Sequence, residues 1–497
     1  MPDLIAQRAL LNGDAVAFRD ALSGRAISYG EFDKRVQLTA GLMRQLGVET
    51  QDRVAMLCRN RVEFFELLFA CAKLGAILLP LNWRMPANEL LPLVGEARPA
   101  ILLHGREDAA VATALGQTVE YVISLDDDGA QGYAARQQAA QPYRGRDQWP
   151  ADECWYLLYT SGTTGLPKAV IQTYGMAMAN YVNIRQAMSI SGNDVTLNYL
   201  PLFHTAGINL VTLPTLIEGG EVIVLPGFDL EAVVGLLSNG RIDTMFAVPA
   251  VYREISLHAA FDSLDLSRVR SWGCGGAPLP DHLLSRFLER GARVCNGMGM
   301  TETGPTVFLM DPASVERKIG SVGKPQLLAS VRIVDHDGQD VADGEEGELW
   351  FRGPGITPGY WRRDDASGSA FSTDGWLRSG DIGRRDADGY YYICGRIKDM
   401  FISGGENVYP AEVENQLAAH PNILEAAVVA TQDDRWGEVG CAYLLPKPGH
   451  RVPPDDEIDR YCRERLAAYK VPKRYIQVDE FPRTAAGKIQ KHLLSEV

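Results

Sequence analysis

Residues 159–168 read Tyr-Thr-Ser-Gly-Thr-Thr-Gly-Leu-Pro-Lys and close the apolar run WYLLY. Glycines let a backbone approach a ligand closely, and successive N–H groups in such a loop form a cradle for an anion. The hydroxyls of Thr160, Ser161, Thr163 and Thr164, the backbone at Gly162 and Gly165, and the Lys168 ammonium add donors suited to phosphate. The loop is not a Walker A motif, because Lys168 lacks the Gly-Lys-Ser/Thr setting. A polar hairpin turn would account for some of these residue types but not for the whole string. Other candidates are single charged residues in glycine-containing settings: Glu302 in GMGMTETG, Asp381 after Gly380, Arg396 after Gly395, and Lys488 in PRTAAGK. Each alone could be a solvated surface charge or a turn residue. The eight cysteines are scattered without a C-x-x-C pair. That spacing gives neither a disulfide framework nor a zinc site, and fits reduced thiols in the cytoplasm.

These residues need elements to hold them. Ser28-Tyr29-Gly30-Glu31 has the form of a capping box and predicts a helix over 28–45, stopped by Gly47. Strands are expected at 53–58, 76–81 and 100–105, alternating with helices at 62–73 and 87–96. That alternation implies right-handed crossovers and a mostly parallel sheet, and it returns after Trp155. Residues 134–141 read as a surface helix or linker. From about residue 329 the pattern becomes apolar–polar alternation around Asp337-Gly338 and Asp388-Gly389, which predicts hairpins in a small antiparallel barrel or sheet. Beyond Gly395 the expected order is helix 410–419, strand 423–429, strand 440–445, helix 455–468 and strand 475–478, a compact α+β unit.

At 497 residues the chain should hold two to four domains. A net charge of −14 argues against nucleic acid and anionic membrane as partners. The first residues, MPDLIAQRALLNGDAV, lack a basic start followed by an apolar core, so no signal peptide is expected. The longest run free of Asp, Glu, Lys and Arg spans 195–217 and contains Pro201, His204, Gly207, Asn209 and Pro214. A membrane span of about 20 residues is more uniformly apolar, so this run predicts a buried, irregular site region.

The motifs, taken in order, resemble those of the acyl-adenylate-forming superfamily: acyl-CoA synthetases, non-ribosomal adenylation domains and luciferases. The resemblance covers nearly the whole chain. It rests on the 159–168 loop, Pro201-Leu202-Phe203-His204, Gly275-Gly276-Ala277-Pro278 and Gly299-Met300-Thr301-Glu302. It continues through Ser379-Gly380-Asp381, Gly395-Arg396-Ile397-Lys398-Asp399, Gly404-Gly405-Glu406-Asn407 and the PRTAAGK block ending at Lys488. The fold it implies is α/β: a large N-terminal AMP-binding domain over 1–396, with two doubly wound sheets and a small β-barrel at about 329–395. A mobile small α+β domain over 397–497 completes it. The activity implied is an ATP- and CoA-dependent acid–thiol ligase using Mg²⁺, with a small carboxylic acid as substrate. An acyl-AMP forms, and pyrophosphate and AMP are released. No stable membrane anchoring is implied, and the assembly is a monomer or homodimer.

The resemblance also assigns roles. Thr160 to Lys168 would hold the β- and γ-phosphates, Thr301 would contact the α-phosphate, and Glu302, with Thr160, would hold Mg²⁺. Asp381 would bind the ribose hydroxyls, and Arg396 ribose and α-phosphate. Gly276, Ala277 and Pro278 would lie along adenine, with Asn296 on its amino group. An aromatic residue usually stacks on adenine where this chain has Met298, a departure that weakens stacking. Lys488 would neutralise charge between carboxylate and α-phosphate. Lys398 would be the hinge, and Gly404, Gly405, Glu406 and Asn407 would line the pantetheine tunnel.

His204 would stand near the carboxylate and the thiol entrance. Amino-acid-activating domains carry Asp at this place, so an amino-acid substrate is not expected. The acyl pocket is expected to draw on Phe203, Ala206, Gly207, Asn209, Tyr252 and Trp272. The polar groups of Asn209, Tyr252 and Trp272 could meet a phenol or methoxy oxygen. Arg253 could read a second carboxylate or be a surface helix residue. PLFHTAGIN, VPAVY, GCGGAPLP, PGYW and GGENVYPAEVE look most like bacterial feruloyl-CoA (hydroxycinnamoyl-CoA) synthetases and related medium-chain acyl-CoA ligases. Adenylation without CoA, and a catalytically silent nucleotide-binding module, are the alternatives from other classes.

Overall fold

The computed structural model describes residues 1–160, 167–277, 279–483 and 489–494. Among these residues the chain forms four sheets. One has six strands in the order Tyr121–Ser124, Ile101–His104, Arg53–Leu57, Ile77–Pro80, Cys154–Thr160 and Lys168–Thr173. Its pairs are parallel except the last, where Cys154–Thr160 turns back antiparallel onto Lys168–Thr173. The central strands are buried on both faces and read as continuous apolar runs, as parallel sheets require. The helix Tyr29–Gln45 begins as its sequence predicts, with the Ser28 hydroxyl accepting from the Glu31 amide at 3.2 Å.

The second sheet has nine strands, with Val195–Asn198, Thr244–Ala247, Ser271–Cys274 and Val294–Met298 parallel at its centre. Its far edge is the N-terminal hairpin: Val16–Asp20 pairs with Glu221–Val224 on one side and Ala26–Ser28 on the other. The charge-free run is buried and irregular as expected, with a π-helical turn at Ala206–Leu210 leading into the helix Thr212–Glu218. Gly207 permits this turn, since a Cβ there would sit 2.4 Å from the Pro201 carbonyl oxygen.

Where a small barrel was one expectation, Ser330–Val334, Gly347–Arg352, Leu377–Arg385 and Tyr391–Arg396 form an open antiparallel meander. Gly338 and Gly389 turn it with φ near +77° and +82°. The last sheet starts at Phe401–Ser403, which pairs with Glu406–Val408 in a hairpin too short to read from periodicity. The long pair Ile423–Asp433 and Gly437–Pro446 and the strand Arg474–Gln477 complete it. The helix expected to reach residue 468 ends at Arg463.

Two buried charges tie the first domain together. Glu66 is 1% exposed and accepts from the Tyr133 hydroxyl and the Gln137 amide, both at 2.7 Å, with Arg35 at 3.3 Å. Tyr133 and Gln137 sit on the helix Tyr133–Ala139, so this segment is an inner clamp rather than a surface linker. Lys73, also 1% exposed, lies between Asp3 and Asp33. No described helix is long and apolar enough to cross a membrane.

Candidate active site

The antiparallel turn from Cys154–Thr160 to Lys168–Thr173 brings Thr160 opposite Lys168, with the Thr160 hydroxyl donating to the Lys168 carbonyl at 3.4 Å. Between them, Ser161, Gly162, Thr163, Thr164 and Gly165 lie outside the described residues, as do Pro278 and Lys488. The short turn Thr301–Thr303 docks against this hairpin through the Gln172 side chain, which donates to the Thr301 carbonyl at 2.8 Å. Glu302 is 7% exposed. One of its carboxylate oxygens accepts from the Tyr360 hydroxyl at 2.9 Å. The Lys168 ammonium lies 5.1 Å from the centroid of the same Tyr360 ring. The fold thus collects Lys168, Thr301 and Glu302 around Tyr360.

On the nucleoside side, Asp381 and Arg396 stand opposite each other on paired strands, with Arg396 Nε donating to Asp381 Oδ1 at 2.9 Å. Asp381 is 7% exposed. Burial works against the Arg396 charge, but Asp381, with Asp399 and Glu302, outweighs it and holds the guanidinium above its usual pKa. Asn296 leaves the strand Val294–Met298 beside Cys274. Its amide donates to the Ser321 carbonyl at 3.4 Å, while its buried Oδ1 has no partner among the described residues. A buried acceptor left open in this way suits a ligand amino group. Gly276 adopts φ near +84°, and Met298 is half-buried against the meander's core with Met300.

The expected acyl pocket divides. Phe203 is buried, with its ring 4.6 Å from His204 and 6.0 Å from Trp83. Asn209, in the π-helical turn with Ala206 and Gly207, donates to the Gly304 carbonyl at 3.1 Å and so joins the pocket wall to the Glu302 turn. Tyr252 and Trp272 do not supply the polar handles expected of them. The Tyr252 hydroxyl is spent on the Gly273 carbonyl at 2.6 Å, and the Trp272 indole N–H on the Leu266 carbonyl at 3.3 Å. Both rings pack on Phe287 in the core. Arg253 neither faces an empty pocket nor lies loose on a helix: it pairs with Glu425 at 2.9 Å, and Glu425 also takes Arg483.

Gly404, Gly405, Glu406 and Asn407 form the exposed turn of the 401–408 hairpin. Gly404 has φ near +62° and its amide donates to the Trp436 carbonyl at 2.9 Å. Lys398 is exposed, between the last meander strand and this hairpin. Tyr360, Gln172 and Trp436 were given no role from sequence: Tyr360 and Trp436 stand in irregular segments without a periodic signal, and Gln172 is one buried polar residue within the strand Lys168–Thr173. Among the described residues no cluster of three His, Cys, Asp or Glu could hold a metal ion. A single carboxylate is nonetheless the protein share that Mg²⁺ takes when phosphates and water supply its other oxygens. The half-engaged Glu302 and the open Asn296 Oδ1 therefore fit a magnesium–nucleotide.

Residues 5–361 match the AMP-binding enzyme family, and residues 412–488 match the AMP-binding enzyme C-terminal domain. A feruloyl-CoA synthase of Amycolatopsis sp. is 40% identical over 490 residues, covering 98% of this chain and 96% of that one. An indoleacetate–CoA ligase of Aromatoleum aromaticum is 37% identical over 474 residues, covering 94% and 92%. Among solved structures, the o-succinylbenzoate coenzyme A synthetase of Bacillus subtilis in complex with ATP and magnesium ion is 30% identical. It has a TM-score of 0.90 and covers 100% of both chains.

Proposed function

The chain belongs to the AMP-binding enzyme family as an AMP-forming acyl-CoA ligase, and on that footing we propose that its acid is a phenylpropenoic one, ferulate or a close hydroxycinnamate. The observation that supports this acid is the 40% identity to a feruloyl-CoA synthase along 490 residues. The 37% identity to an indoleacetate ligase also favours a flat aryl acid over an alkyl chain.

In the first half-reaction a carboxylate oxygen of the acid attacks the α-phosphorus of ATP. The bond to the β-phosphate breaks, and pyrophosphate leaves with its electron pair. In the second, the CoA thiolate attacks the acyl carbonyl carbon and AMP leaves. Both partners of the first step are anions, so the residues serve mainly to position and neutralise. Glu302 and Thr160 would hold Mg²⁺, which when bound would supply charge neutralisation and orientation to the phosphates. Lys168 and the loop hydroxyls hold the outer phosphates, and Thr301 the inner one. Asp381 and Arg396 fix the ribose, and Asn296 reads the adenine amino group. Lys488 would neutralise charge between the acid and the α-phosphate. Residues 397–497 form the unit that turns about Lys398 and presents the Gly404 hairpin for the second step.

AMP release with ATP, Mg²⁺ and CoA, run with ferulate, 4-coumarate, indole-3-acetate, benzoate, octanoate and adipate, tests the choice of acid. CoA-dependent turnover should be highest with the cinnamates. Preference for octanoate would replace the acid with a medium-chain fatty acid and leave the catalytic residues standing. Pyrophosphate release without any CoA requirement would favour CoA-independent adenylation.

Gly404→Ala tests the second half-reaction. The added Cβ would stand 2.6 Å from the Trp436 ring on backbone at φ near +62°. That strain is about 1–2 kcal/mol, or roughly tenfold. CoA-dependent thioester formation is expected to fall by that factor while pyrophosphate release from acid and ATP is unchanged.

A further inference from the structure

Residues 357–361 have no regular secondary structure beyond a single bridge, yet they are sewn into the site at every step. The Thr357 amide donates to the Glu302 carbonyl at 2.8 Å, and its hydroxyl to the Ile171 carbonyl at 2.7 Å. The Ile171 amide donates to the Gly359 carbonyl at 3.1 Å, Tyr360 bridges Val170, and the Trp361 amide donates to the Ala169 carbonyl at 2.8 Å. This strap ties the phosphate-loop strand Lys168–Thr173 to the turn that carries Glu302. Gly359 lets it lie flat, because a Cβ there would meet the Ser367 hydroxyl at 2.6 Å.

The Tyr360 side chain then engages both charged residues. Its hydroxyl makes the only hydrogen bond to the Glu302 carboxylate among the described residues, at 2.9 Å to Oε1. Its ring lies under the Lys168 ammonium, 5.1 Å from centroid to Nζ, within the range of a cation–π contact. The phenol hydroxyl is the donor of this pair and the carboxylate oxygen the acceptor. A donor on one oxygen fixes the carboxylate plane and leaves Oε2 for another partner. Donors of this kind tune the metal affinity of the ligand they touch.

We propose that Tyr360 is the positioning residue of the metal–nucleotide centre: its hydroxyl presents Glu302 Oε2 to Mg²⁺ while its ring seats the Lys168 ammonium. The proposal rests on the reading of Glu302 as the metal ligand. Calorimetry with ATP alone and with ATP plus saturating Mg²⁺, and no acid present, measures the gain in ATP affinity that the metal confers. Tyr360→Phe is expected to shrink that gain by about 10- to 100-fold and leave the affinity for ATP alone unchanged. Tyr360→Leu, which also removes the ring, should weaken ATP binding without metal as well.

Thioester formation from supplied acyl-AMP and CoA, measured on the same samples, should be unchanged in Tyr360→Phe. Equal loss there would overturn the proposal, because the variant would then be generally damaged. Glu302→Gln runs beside it. If Glu302→Gln lowers the metal-dependent gain and Tyr360→Phe does not, the role of Tyr360 is wrong. If neither does, Glu302 is not the ligand.

Discussion

Replacing Lys488 with alanine is expected to slow acyl-AMP formation by about 10²- to 10³-fold, the usual loss when one preorganised charge is removed from a transition state. Thioester formation from supplied acyl-AMP and CoA should continue at the parental rate. The reason lies in the two chemistries. The first step brings a carboxylate against a phosphate, and a flexible ammonium suits a point charge between them. The second step has a neutral carbonyl as its target. Lys488 itself is outside the described residues, but the base of its loop is fixed. Arg483 and Ile489 bridge each other, and the Gln490 amide donates to the Pro482 carbonyl at 2.8 Å. Arg483 is also paired with Glu425, which Arg253 of the N-terminal domain holds at 2.9 Å. The residues that flank 484–488 are therefore anchored on both sides. Pyrophosphate release and thioester formation, assayed separately, decide the matter. Equal loss of both would refute the assignment.

Asp381→Ala should behave differently, weakening both half-reactions because AMP stays bound through both. Hydrogen bonds to a charged group are worth about 1.5–3 kcal/mol, which is roughly 10- to 100-fold in affinity for ATP and for AMP. Part of that loss comes from Arg396, which is half-buried and would lose its 2.9 Å partner. The double variant Asp381→Ala/Arg396→Ala should therefore lose less than the sum of the two single changes. Nucleotide affinity measured by calorimetry gives the cycle directly. Strict additivity would mean that the two side chains act independently despite their contact.

Much of this site could be read from residue types. The glycine–hydroxyl loop and the charged residues in glycine-containing settings announce themselves by composition and local order, whereas Asn296 is named only through the family resemblance. The helix at 29–45 is legible because Ser28 and Glu31 carry its start in a few residues. What could not be read depends on register and on which face is which. Asp381 and Arg396 meet only because two strands align them across the meander. Trp272 was expected at the pocket because its neighbourhood is rich in small residues. In a parallel sheet covered on both faces, alternation does not say which side holds a ligand and which holds core. The strand Ser271–Cys274 turns Trp272 into the core with Phe287, while a Cβ at Gly273 would strike the Phe246 ring at 2.4 Å. Tyr360 stands in the PGYW string that carries part of the resemblance, but its role was not legible for a related reason: it comes from two segments far apart in sequence that close on it.

The N-terminal hairpin has a consequence for how the chain is made. Val16–Asp20 can pair at once with Ala26–Ser28, but its parallel neighbour is Glu221–Val224, and the Tyr29 hydroxyl donates to the Gly220 carbonyl at 2.7 Å. Roughly 200 residues separate the paired strands. At about 5–20 residues per second, a ribosome needs about 10–40 s to deliver the second after the first. Phe18, buried in the finished protein, waits through that interval without its parallel partner Val222. The open edge of this hairpin is thus covered only after about 200 further residues have been made. Chaperone occupancy on nascent chains should concentrate before residue 30 and end once residue 224 has cleared the exit tunnel.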